Sequence, residues 1–130
     1  MKTSERMSRI KSKETKPEQK VRHFLYSKGY RYRKNDSSLP GSPDIAMKNR
    51  KVAIFVNGCF WHGHDGCKYA QKPKTNVDFW EKKIANNKAR DEKNRLTLVS
   101  MGYTVITVWE CAIRDSFDER MNRLIREIGQ

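Results

Sequence analysis

Apolar positions recur at helical spacing in three stretches of the chain and alternate in strand fashion in four others. Thr15-Lys16-Pro17-Glu18 is a capping box with Thr15 as N-cap, and it opens a helix that buries Val21, Phe24 and Leu25 and runs to Lys28, where Gly29 stops it. Tyr30 to Lys34 alternates as a strand, and Asn35 to Pro43 is a turn-rich loop through Leu39-Pro40-Gly41-Ser42-Pro43. Asp44 to Met47 and Lys51 to Val56 read as two strands about a Lys48-Asn49-Arg50 turn, the second apolar enough to be central. Asp78 is the expected cap of a long helix that lasts to about Met101 and is closed by Gly102. Tyr103 to Trp109 is a β-branched and aromatic strand. Ser116-Phe117-Asp118-Glu119 forms a second capping box, opening a helix that buries Phe117, Met121, Leu124, Ile125 and Ile128. The expected order is α-β-β-β-α-β-α, in one domain without repeats, which is what 130 residues can support.

Charge narrows the partner. Lys and Arg number 28 against 15 Asp and Glu, so the surface carries a positive field and nucleic acid is the default ligand. The run from Met1 to about residue 14 is basic and has no apolar face strong enough to fold alone, so it reads as an arm that contacts DNA, leaving residues 15–130 as the folded domain. No apolar run approaches the length of a membrane-spanning helix and the N-terminus lacks a signal peptide's apolar region. The expectation is a soluble, cytoplasmic, nucleoid-associated monomer with no membrane partner. Three cysteines are an odd number for a disulfide framework and suit a reducing compartment.

Asn57 to Asn76 has no clear period but concentrates potential ligands. Cys59, His62, His64 and Cys67 fall close together, and Cys111 follows the last strand directly, where a fold could return it to them. Thiolates with one imidazole suit a tetrahedral Zn²⁺, and four protein ligands leave no open position, so such an ion would hold the loop in shape without doing chemistry. The competing reading takes the cysteines as small buried hydrophobes. Spacing alone leaves open whether His62 or His64 is the ligand; the spare imidazole is then a candidate general base.

The acidic positions are weaker signals. Pro43-Asp44 sets a carboxylate at a strand start beside a central strand, where Mg²⁺ could be held for phosphodiester hydrolysis, although Pro-Asp is also a common turn pair. Trp80, Ile84, Asn87, Asp91 and Leu98 share a helical stripe, so Asn87 and Asp91 intrude on a face that should be apolar, and Asp91 wants a partner. His62 would serve; so would Lys88 or Arg95 on a solvated face. Glu18 is accounted for by its capping box, with a second role open to it. Phe60, Trp61 and Trp80 are either core residues or wedges able to enter a base stack weakened by mispairing.

The segments Met7-Ser8-Arg9-Ile10, Thr15-Lys16-Pro17-Glu18, Leu39-Pro40-Gly41-Ser42-Pro43-Asp44, Phe55-Val56-Asn57-Gly58-Cys59-Phe60-Trp61-His62, Phe79-Trp80, Asn87-Lys88-Ala89-Arg90-Asp91 and Val108-Trp109-Glu110-Cys111 resemble, in order, the very-short-patch repair (Vsr) endonucleases. The resemblance implies a restriction-endonuclease-like α/β domain, a mixed central sheet flanked by helices with a structural zinc site. It implies nicking of double-stranded DNA 5′ to the T of a T:G mismatch, alongside mismatch-repair proteins. By the same resemblance Asp44 and the main-chain carbonyl of Val56 would hold Mg²⁺, and His62, supported by Asp91, would be the base. His64 would join Cys59, Cys67 and Cys111 on Zn²⁺, and Glu18 would lie near the active site. Phe60, Trp61 and Trp80 would wedge beside the mismatch from the major groove, with Met7 entering from the minor groove. Asn57 stands where some members have a second active-site histidine, and Gly66 is an extra residue between His64 and Cys67. The rivals are a restriction-type or other structure-specific nuclease and a non-catalytic zinc-dependent DNA-binding module; the latter gives no reason for Asp44, His62 and Asp91.

Overall fold

The computed structural model describes residues 16–59, 62–64, 67 and 75–129. The basic arm with Met7, the capping residue Thr15, the aromatic pair Phe60 and Trp61, and Gly66 lie outside the described residues. Helix α1 spans Lys16–Ser27, strands β1, β2 and β3 span Arg33–Lys34, Ile45–Met47 and Val52–Asn57, and helix α2 spans Val77–Ser100. Strand β4 is Thr104–Trp109, followed by a short helix α3 at Glu110–Asp115 and helix α4 at Phe117–Ile128.

The four strands form one mixed sheet in the order β1-β2-β3-β4, antiparallel at the first two junctions and parallel between β3 and β4. The β3–β4 crossover is made by α2, as a parallel pair requires. Period-2 alternation buries both faces of the sheet. Ile45, Met47, Val52, Ile54, Ile106 and Val108 pack with Val21 and Leu25 of α1, Ile113 of α3, and Met121, Leu124 and Ile128 of α4. The intervening Ala46, Ala53, Phe55 and Val105 pack with Leu98 of α2 and with Leu39 and Tyr103. Helices therefore cover the sheet on both sides, and the small Ala46 and Ala53 are the sheet residues buried on the Leu98 side.

Four expectations from the periodicity need correction. The strand expected over Tyr30 to Lys34 pairs only at Arg33 and Lys34, opposite Ala46 and Ile45, because its first part is tied to α1: the Tyr30 amide donates to the Leu25 carbonyl and the Tyr32 hydroxyl to the Arg22 carbonyl, each at 3.1 Å. Asp78 lies in the first turn of α2 and is not its cap; the cap position is Asn76, in a left-handed conformation at φ 54°. Glu110–Asp115 is an additional helical segment, so the order is α-β-β-β-α-β-α-α. It also undoes the second capping box: Ser116 precedes α4 but makes no side-chain cap bond, and its hydroxyl donates back to the Ala112 carbonyl at 3.4 Å. The end of one helix there competes for the group that would have begun the next.

Candidate active site and metal centre

The C-terminal ends of β3 and β4 open onto a cleft of about 1130 Å³ lined by Glu18, Asp44, Val56, Asn57, His62 and Asp91, together with Lys34, Lys88, Trp109 and Glu110. Five separate stretches of sequence meet there, at the carboxyl end of the parallel pair.

Asp44 stands just before β2, where the ladder to β3 has ended at the Ile45–Ile54 pair. The Val56 amide of β3, left without a β2 partner by that early end, instead donates to Asp44 Oδ2 at 2.6 Å. In an extended strand the N–H and C=O of one residue point to the same edge, so the Val56 carbonyl also faces the Asp44 side. Burial pushes the Asp44 carboxyl up to about 7, and the neighbouring carboxylate of Glu18 adds to the rise, while the Val56 amide opposes it. Glu18 reaches this position because α1 turns it inward, 4% exposed, with Arg22 of the next turn ion-paired to it at 3.3 Å. A buried and a half-buried carboxyl group, with a main-chain carbonyl beside them, repel one another as anions. They accept either a shared proton or a hard cation, so the donor set fits a divalent ion with oxygen ligands.

Across the cleft, His62 Nδ1 meets Asp91 Oδ2 at 2.5 Å. Arg95, one of the alternative partners, instead grips Glu92 through two bonds of 2.9 and 2.6 Å. Asp91 thus engages the loop before α2, and the polar break in the helix stripe has its partner. A carboxylate on Nδ1 holds that nitrogen as the donor and leaves Nε2 as the ring's acceptor. Asn57, 9% exposed, ends β3 beside Trp109 of β4 and lines the same cleft.

The second imidazole goes elsewhere. Ligand atoms of Cys59, His64, Cys67 and Cys111 lie within 4.8 Å of one another, with no disulfide among the cysteines. His64 Nδ1 is 3.5 Å from Cys111 Sγ, and the Cys111 amide donates to Cys59 Sγ at 3.4 Å. Burial pushes the Cys59 thiol up to about 12, and burial also raises that of Cys111. Three sulfurs and one imidazole in that space match the donor chemistry of a tetrahedral cation, so the cluster could hold a metal ion.

Gly63 separates the two histidines. At φ +60° it is in the left-handed region, and a Cβ there would stand 2.6 Å from Ile84 Cγ2 and 2.9 Å from Lys88 Cδ. The loop can therefore lie against α2 only without a side chain at this point, sending His62 toward Asp91 and His64 toward the cysteines. Trp109, which had no assigned role, stacks flat on His64 at 4.0 Å between ring centres. Its place directly before Glu110-Cys111 was the available signal. Trp80 is not among the cleft-lining residues; it is half-buried at the start of α2, edge-on to the exposed Phe79 with ring centres 5.0 Å apart.

An α/β domain with carboxyl and His–Asp groups facing one cleft, and a cysteine–histidine cluster behind the Trp109 that lines it, has the donor groups of a metal-assisted hydrolase. Comparison with known proteins gives the family. Residues 1–68 match the model of the family described as DNA mismatch endonuclease Vsr. The chain is 50% identical over 124 residues to the type II nicking enzyme V.NmeAIP of Neisseria meningitidis serogroup A, covering 94% of this chain and 88% of that one. It is 46% identical over 109 residues to the type II nicking enzyme V.XorIIP of Xanthomonas oryzae pv. oryzae, covering 84% and 79%. It is 38% identical over 111 residues to the DNA mismatch endonuclease Vsr of Escherichia coli K12, covering 85% and 70%. The chain belongs to the Vsr DNA mismatch endonuclease family and is a DNA-cleaving hydrolase. Among the described residues, no helix is long and apolar enough to cross a membrane.

Proposed function

We propose that this endonuclease nicks one strand of duplex DNA 5′ to the mismatched T of a T:G pair, using Mg²⁺ at Asp44 and a structural Zn²⁺ at Cys59, His64, Cys67 and Cys111. The observation that carries the catalytic part is the convergence of Asp44 and the His62–Asp91 pair on one cleft. The nicking mode is supported by two relatives named as nicking enzymes.

His62 is the general base. With Nδ1 bound to Asp91, its Nε2 takes the proton of a water as that water adds to phosphorus, and the P–O bond to the departing sugar oxygen breaks. Asp91 stabilises the imidazolium that results. Asp44 and the Val56 carbonyl would hold Mg²⁺, which when bound supplies positive charge to the phosphate oxygens and the leaving group. Glu18, beside Asp44, adds negative charge that favours the cation there. Asn57 orients the phosphate or water by hydrogen bonding. Zn²⁺ in the cysteine–histidine cluster would fix the loop that carries His62.

Residues 1–14 act as an arm on the DNA, with Met7 reaching the minor groove, and 15–130 as the catalytic domain. Phe60, Trp61 and Trp80 wedge into the stack next to the mismatch, where unstacking costs least. The enzyme works as a monomer in the cytoplasm, beside the mismatch-repair proteins.

The test is a panel of duplexes carrying each mismatch or none, incubated with the protein and Mg²⁺, Ca²⁺ or no divalent ion. Single-strand cutting 5′ to T in T:G only, with Mg²⁺ only, is the expected result. Equal cutting of fully paired DNA would make the chain a restriction-type nuclease.

A further inference from the structure

Among the described residues, the lining of the cleft is more acidic than basic. Glu18, Asp44, Asp91, Glu92 and Glu110 all line that opening, outnumbering the lysines and arginines there. A separate group of exposed cations sits at the opposite end of the sheet. Strand β2 runs from Ile45 away from Asp44, β3 returns, and β4 starts alongside Val52, so Lys28 to Arg31, the Lys48–Lys51 turn and Tyr103 meet at the far end. The six-residue β3 separates the two ends by roughly 20 Å, more than twice the Debye length of about 8 Å at physiological salt. Charges there contribute little to the field over a phosphate at Asp44.

The far end is also ordered. Arg31 Cζ lies 4.4 Å from the centre of the Tyr26 ring, Arg50 Cζ 5.0 Å from that of Tyr30, and Lys51 Nζ 5.4 Å from that of Tyr103. Tyr26 is itself exposed, as are Arg31, Arg50 and Lys51. Arg31 Nη1 also donates to the Tyr30 carbonyl at 3.2 Å, which fixes that guanidinium further and leaves its other N–H groups for a ligand. A guanidinium held on an aromatic face loses less freedom when it meets an anion. Carboxylates are kept out. Between Gln19 and Val77 the described residues hold only Asp36 and Asp44; the first is 7% exposed and bonded to Ser38, with Lys48 3.6 Å away, and the second belongs to the cleft. Glu127, on α4, is taken up by Arg120 and Arg123.

We propose that this rim, centred on Arg31 and Arg50 with Lys28 and Lys51, is a second surface for duplex DNA, used to hold a segment other than the one in the cleft. Guanidinium forks match phosphate oxygens in pairs, and a duplex brings closely spaced phosphates, so partner and surface agree in charge and geometry. The surface is sequence-independent because it offers only cations over ring faces. It lets the enzyme pass between neighbouring duplexes without first releasing the one it holds. This role is additional to the nicking reading and does not depend on which residue is the base.

The experiment uses the full chain with its cleft saturated by a short T:G duplex whose scissile linkage is a phosphorothioate that resists cutting. A labelled, fully paired duplex of about 30 base pairs is then titrated in at several salt concentrations. The wild-type complex is expected to take up this second duplex, with affinity falling steeply as salt rises. The Arg31→Gln/Arg50→Gln variant is expected to bind it at least tenfold more weakly, with the log-log salt slope smaller by about two. The same variant should nick the short mismatched duplex at the wild-type rate within twofold. Failure of the saturated wild type to bind a second duplex would overturn the proposal, as would equal binding by the variant. A parallel loss of nicking on the short duplex would merge the rim with the cleft's own DNA path and overturn it as a separate surface. Displacement of the second duplex by polyglutamate at equal charge concentration would reject DNA as its partner.

Discussion

The imidazole of His64 lies flat on the indole of Trp109, 4.0 Å between ring centres and 5° between planes. One partner belongs to the cysteine cluster and the other to the wall of the cleft, so the candidate metal centre and the candidate chemistry share a piece of structure.

Removing the metal from the cluster should therefore damage catalysis at a distance. Cys111→Ala is expected to abolish stoichiometric zinc binding, measured by elemental analysis of the purified protein. It should lower nicking at least tenfold while leaving the far-UV circular dichroism of α2 and α4 largely intact. Retained zinc in this variant would remove Cys111 from the ligand set.

The Gly63 contact predicts a specific suppressor. Gly63→Ala combines left-handed backbone strain of about 1–2 kcal/mol with overpacking of about 1–3 kcal/mol against Ile84 and Lys88. Denaturant unfolding should show a loss in that combined range, and nicking should fall with it. Adding Ile84→Ala, which removes the methyl that stands 2.6 Å from the new Cβ, should restore part of the nicking even though it deletes a core side chain. Without such recovery, the close approach at Gly63 is not what aims His62.

The His62–Asp91 pair should behave as one unit. His62→Ala is expected to cost about 10²–10⁴-fold in single-turnover nicking, and Asp91→Asn somewhat less. The double variant should be no slower than His62→Ala alone, because Asp91 acts through the ring it binds. Additive losses would give Asp91 a separate task.

The Asp44 carboxyl carries a pH signature whose sign follows from its environment. Its value is raised from 3.8 to about 7, chiefly by burial and then by Glu18, so the folded protein holds this proton more tightly than the unfolded chain does. In protein free of divalent ions, that contribution to stability is complete below 3.8 and is lost as pH rises through about 7. Wild-type unfolding midpoints should accordingly fall more between pH 4 and 7 than those of Asp44→Asn, and a bound divalent ion should reduce the difference by replacing the proton. Mg²⁺ affinity in turn should drop as pH falls below about 7, where proton and cation compete for the same oxygens. Asp44→Asn should lose nicking and keep duplex binding, checked by gel shift.

Local pattern was enough for much of the frame, since helix and strand periods depend on near neighbours. Val21, Leu25, Met121 and Leu124 are buried as their spacing requires, the strand from Lys51 to Val56 is central, and the ligand-rich loop falls between β3 and α2. Spacing also singled out Asp91 as a polar break in an apolar stripe. It could not say which imidazole went where. That depended on Gly63 pressing against α2, and on contacts that join His62 to a residue 29 positions away and His64 to one 47 positions away. Nor could it reveal that β2 stops short and frees the Val56 amide for Asp44, or that α3 takes Ser116 from its capping role. Those outcomes turn on competition between groups distant along the chain, and only the folded arrangement brings the competitors together.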